Sequence, residues 1–144
     1  MANVIPDSFK TDLLKGTFNF DSSGGSTFKL ALYTDISGLT TSSTAFTTTN
    51  EVSTSGTSYS SGGNTLTNNG VAISSNIGFV DFADLTFSSV TLSAVGALIY
   101  KSGGSNEAVL VLDFGVTKTA TNGDFVVQFP TASNSAAIIR LGNA

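Results

Sequence analysis

The residue types that most often move protons at neutral pH are scarce in this sequence. Its 144 residues include no histidine and no cysteine, leaving ten carboxylates, six basic residues and three tyrosines. Asp81, Asp84 and Asp113 are the acids that fall near the ends of apolar, strand-like runs. Two of them facing each other would make the carboxylate pair of a glycoside-cleaving site, and all three together would offer hard oxygen ligands to calcium. A strand-end aspartate more commonly closes a turn through its own side chain, and the dense Asp/Asn loop of calcium motifs is missing. Serines are abundant, but there is no Gly-x-Ser-x-Gly elbow and no histidine to activate one, so composition permits only a Ser–Lys pair. Gly24-Gly25 and Gly103-Gly104 do not open a helix with a Lys-Ser/Thr pair and read as turns, not phosphate loops. Tyr33, Tyr59 and Tyr100 suit a sugar-stacking platform and a structural role equally well. The expectation is a protein with no enzymatic activity, no cofactor and no metal site.

Charged residues make up 11% of the chain, against roughly a quarter in an ordinary domain, and Ser, Thr, Asn and Gly take the polar positions instead. Such a surface approaches a neighbour without stripping water from unpaired ions, a step that costs several kcal/mol per ion. The net charge is −4 and the basic residues Lys10, Lys15, Lys29, Lys101, Lys118 and Arg140 are scattered, so no phosphate-tracking patch forms and nucleic acid is not an expected partner. No stretch has the length of a membrane span, and the start lacks the basic and apolar regions of a secretory signal. The expectation is synthesis in a cytoplasm, with any exit from it as part of something larger.

The elements that must position these residues are mostly strands. Residues 6–16 hold N-cap candidates in Asp7 or Ser8, apolar Phe9 and Leu13 four apart, and Gly16 as a stop, which predicts one short amphipathic helix. Beyond it the period changes to two: Phe28, Leu30 and Leu32 alternate on one face. Residues 34–61 are dominated by Ser, Thr and Gly and read as a long surface excursion, ordered only around Phe46, Val52 and Tyr59. Asn69-Gly70 predicts a tight turn, with another at Asn76-Ile77-Gly78, followed by a strand with Ile77, Phe79 and Phe82 inward and a short separate piece at 84–88.

Residues 91–100 and 108–114 are apolar on both faces and predict a central antiparallel hairpin closed by the glycine-bearing loop 101–107. Asn122-Gly123 opens a further strand that Pro130 ends, and a last strand covers 136–141. The expected core is Phe79, Leu98, Leu112, Phe125, Phe129 and Ile139. The fold class is all-β, an antiparallel β-sandwich or jelly-roll-like barrel with one short N-terminal helix. Residues 1–16 form an arm and helix, and residues 17–144 a single β-domain.

Seven segments together resemble the small virion structural proteins of tailed bacteriophages: PDSFKTDLLKG at 6–16, KLALYT at 29–34, YSSGGNTL at 59–66, FVDFADLTF at 79–87, GALIY at 96–100, LDFG at 112–115 and NGDF at 122–125. The resemblance runs nearly end to end and rests on turn glycines and core aromatics. It implies a capsid decoration or cement protein on the virion surface that binds the major capsid protein, with self-association, a homotrimer by analogy, as a second partnership. A tail or fibre component, receptor- or carbohydrate-binding, is the alternative. On the cement reading, Val4, Ile5 and Phe9 of the N-terminal arm, with the 34–61 excursion, are expected to contact the shell.

Overall fold

The computed structural model describes residues 2–143. It has one helix, α1 (Asp7–Leu14), and seven strands: β1 (Phe28–Tyr33), β2 (Asn64–Thr65), β3 (Asn68–Ser74), β4 (Ile77–Phe82), β5 (Leu85–Lys101), β6 (Ala108–Val127) and β7 (Ile139–Leu141). They form two antiparallel sheets, ordered β2-β1-β5-β6 and β3-β4-β7. The fold is all-β and sandwich-like, as the alternating pattern predicts.

The predicted hairpin is the spine of the molecule, but it is longer than the sequence suggests. β5 and β6 run for 17 and 20 residues and absorb segments 85–88 and 124–127, which the sequence reading sets apart. What divides these segments in sequence is a set of bulges: the register shifts between Phe87 and Val90 and between Val90 and Leu92, where Ser89 and Asn122 take φ of 55° and 46°. Asn122-Gly123 therefore sits inside a strand. Asn69-Gly70 is likewise a bulge in β3, with Gly70 at φ 95°, and the hairpin turn falls on Ser75 and Asn76, both at positive φ.

One face of the larger sheet carries Phe28, Leu30, Leu32, Ile99, Leu110 and Leu112 and packs against α1 and the smaller sheet. The filling is aromatic: Phe20 stacks on Phe28 at 4.6 Å, Phe28 meets Phe82 edge-on at 5.7 Å, and Phe9 lies 5.0 Å from Phe18. Such pairs contribute about 0.5–1.5 kcal/mol each beyond area burial. Leu98, Leu112, Phe125 and Ile139 are buried as expected, while Phe79 and Phe129 are only half-buried. β4 carries two apolar series, and it is Val80 and Phe82 that face the core, not Ile77 and Phe79. The alternation alone did not distinguish them.

The other face of the larger sheet carries Ala31, Tyr33, Leu98, Tyr100 and Val111, and it too is buried. Residues 36–46 cover it, placing Ile36 and Leu39 on the sheet with Phe46 beside them, while Val52 and Tyr59 farther along join the core on the first face. Gly96 makes room for this layer: a Cβ there would overlap the Leu112 carbonyl and lie 2.7 Å from Ile36 Cγ2. Replacing Gly96 with Ala is expected to cost about 1–3 kcal/mol through overpacking. Gly38→Ala, where a Cβ meets nothing within 4 Å, should be near neutral. Urea unfolding midpoints of the two variants check this, and equal midpoints would contradict it.

Candidate functional site

The three aspartates singled out for chemistry are each engaged locally. Asp81 accepts from Asn69 Nδ2 at 2.6 Å, Asp84 from the Phe129 amide at 2.8 Å, and Asp113 from the Gly115 amide at 2.8 Å. The Gly115 amide holds the Asp113 carboxyl below the usual carboxylate range. No three Asp or Glu side chains are grouped to hold a metal ion among the described residues. A concavity of about 420 Å³ along β6 mixes Phe114 with Lys118, Asp124 and Gln128. Asp124 is the one carboxylate lining it, so a carboxylate pair does not converge there.

The tyrosines belong to the interior. Tyr33, Tyr59 and Tyr100 are 0%, 3% and 3% exposed, so none presents a ring face to a sugar. Each phenol ties residues 34–63 to the larger sheet or to one another: Tyr33 donates to the Thr47 carbonyl at 2.6 Å, and Tyr100 to the Gly62 carbonyl at 2.8 Å. Tyr59 donates to Glu51 Oε1 at 2.8 Å and accepts from the Leu32 amide at 3.0 Å.

Glu51 is the residue the sequence reading missed. Its Oε1 also accepts from the Gly62 amide at 2.6 Å and its Oε2 from Ser61 Oγ at 2.7 Å. The backbone beside it pairs with the end of β1, with the Thr34 amide on the Asn50 carbonyl and the Val52 amide on the Leu32 carbonyl, both at 2.9 Å. Glu51 is the single charged residue between Asp35 and Asp81. A lone carboxylate in a hydroxyl-rich run is the signal that points to it, because charges are the expensive groups to fix and must have partners. Around this hub the outward positions of the layer, among them Ser42, Thr44, Thr48 and Ser53, are exposed and, apart from Asp35, uncharged.

The N-terminal arm is folded back on the domain. Val4 and Val111 exchange backbone hydrogen bonds of 2.9 and 2.8 Å, covering part of the β6 edge, and Asn3 Oδ1 accepts from the Asp113 amide at 2.9 Å. Val4 and Ile5 are partly buried, and Phe9 is 3% exposed in the aromatic core. Neither Asp7 nor Ser8 caps α1: Pro6 holds the N-cap position, Asp7 pairs with Lys10, and Ser8 Oγ donates to the Ser43 carbonyl at 3.0 Å. The expected contact residues Val4 and Ile5 are partly engaged in internal packing, and Phe9 is almost wholly so.

An apolar groove of about 450 Å³ lies where the smaller sheet extends past the core, walled by Phe9, Leu13 and Phe20. Ile73, Gly78 and Leu141 stand abreast along it, and Ile73 and Leu141 are 76% and 66% exposed. No helix among the described residues is long and apolar enough to cross a membrane. Compared with protein-family models, curated proteins and solved structures, the chain finds no match in any of the three.

Two outcomes follow from the half-buried Glu51 hub and the buried tyrosines around it. Glu51→Ala leaves three donors without their acceptor and is expected to cost about 2–4 kcal/mol, read from chemical denaturation. The phenols of Tyr33, Tyr59 and Tyr100 are pushed above the ordinary value of 10.0, chiefly by burial with the Glu51 carboxylate adding to it. An unfolded chain therefore releases these protons first, so the stability they carry is complete below pH 10.0 and falls as pH rises from there toward the folded values. Phenolate absorbance and far-ultraviolet circular dichroism should change together in one cooperative alkaline transition. Stepwise ionisation of the tyrosines with the fold intact would contradict the burial account.

Proposed function

We propose that this protein is a non-enzymatic structural component of a tailed-bacteriophage particle: a decoration, or cement, protein that binds the outer surface of the major capsid protein shell and stabilises it. The assignment to a virion rests on the near end-to-end resemblance of the sequence. The observation that favours a binding role is the layer formed by residues 34–61, a hydroxyl-rich surface held by the Glu51 hub and carrying Asp35 as its one exposed carboxylate. A surface already fixed in shape loses little conformational freedom on docking, and one with a single exposed ion needs little charge desolvated. On a shell, many identical weak contacts then add up to firm attachment. Since the arm is committed to the domain's own packing, the shell contact in this proposal falls to the loop layer.

The test is the copy number of the protein in purified virions, relative to the major capsid protein, by quantitative mass spectrometry. A simple fraction of the shell subunits supports the proposal, whereas only tens of copies, on the order expected of closed rings and spikes, moves the protein to the tail. Absence from the particle ends the virion reading. For the surface itself, Ser42→Arg and Thr48→Arg should each weaken binding to undecorated shells by about tenfold or more with an unchanged melting temperature. Full binding by both variants would move the contact off this layer.

A further inference from the structure

The groove on the smaller sheet has a specific gap at its floor. Ile73 and Leu141 flank Gly78 on neighbouring strands, and a Cβ at Gly78 would meet nothing nearer than the Leu141 carbonyl at 3.8 Å. The space above Gly78 is open and its rim is apolar. Beside the groove the same chain carries a knob: Leu14 ends α1 at 88% exposure, adjacent to Leu13 in the groove wall.

We propose that a second copy of this chain covers the groove, in a two-fold contact that seats Leu14 of each copy over Gly78 of the other. Three observations favour a like partner. Knob and groove wall are consecutive residues at the end of α1, close enough for a single two-fold axis to bring both into one self-complementary contact.

The second observation is charge. A two-fold contact brings identical charges together, and here there are few to oppose: residues 68–80 carry none, Lys10 pairs with Asp7 at 2.8 Å and Lys15 approaches Asp12 at 4.0 Å. Strand alternation sends Arg140 to the opposite face of β7 from Ile139 and Leu141.

The third is area. Leu14, Ile73, Leu141 and Val71, exposed by 88%, 76%, 66% and 57%, present roughly 500 Å² of apolar surface, which is about three-fifths of the ~800 Å² each partner buries in a stable interface. β3 is moreover an edge strand without the lysines or prolines that keep such edges from pairing.

The inference is independent of the virion reading, because sedimentation of the purified protein tests it without any particle. Sedimentation velocity across a concentration series should show a dimer. Ile73→Asp and Leu14→Asp, at exposed positions that leave the circular dichroism unchanged, should each raise the dissociation constant by about tenfold or more. A chain that stays monomeric at about 100 μM overturns the inference. A trimer, or a dimer insensitive to both substitutions, overturns it equally. A monomer whose Ile73→Asp variant no longer binds shells does so too, and assigns the groove to the shell.

Discussion

The structure depends on the burial of both faces of its central strands. Ala31, Leu98 and Val111 lie in register across β1, β5 and β6, and all three are 0% exposed on the face turned away from the aromatic core. A sheet with an apolar second face needs a second cover, and no helix or sheet is available to provide one. The cover is residues 36–46 of the 34–61 excursion, which carry Ile36, Leu39 and Phe46 at wide spacing, while Val52 and Tyr59 anchor the rest of it in the first-face core. Gly96 gives up its side chain so that Ile36 can lie directly on the strand.

Apolar contact alone would not order so polar a segment, since fixing each residue costs about 1–2 kcal/mol of backbone entropy. Hydrogen bonds to buried anchors supply the rest. Glu51 gathers Tyr59, Ser61 and Gly62, Tyr59 reaches the backbone of β1, and Tyr33 and Tyr100 bind carbonyls of the excursion. The tyrosines that suited sugar stacking are buried in this network, and the outward surface of the layer carries Asp35 as its one exposed carboxylate. That division links the fold to the proposed role, in which a rigid, sparsely charged layer meets a repetitive shell.

Much of this was legible in the sequence, and the failures have physical causes. The helix, the two-sided apolar hairpin and its glycine-bearing loop follow directly from period and composition. Register in β4 did not, because Ile77/Phe79 and Val80/Phe82 are equally apolar and only the aromatic partners Phe28 and Phe129 choose between them. Asn69-Gly70 and Asn122-Gly123 have turn chemistry but sit in bulges, since left-handed backbone serves both. The apolar groove went unseen because its residues come from α1, the loop before β1, and β3, β4 and β7, which no local pattern connects.

The account stands on residues 34–61 being a layer of the fold and not a surface loop, and native-state hydrogen exchange reads that directly. The amides of Thr34, Phe46, Val52 and Gly62 are bonded to Asn50, Asn106, Leu32 and Glu51. The account predicts that these four exchange only through global unfolding, as slowly as the amides of Leu98 and Val111 in the central hairpin. Rapid exchange of the four with the hairpin still protected would mean that the excursion opens on its own, and would remove both the second cover and the preformed surface built on it.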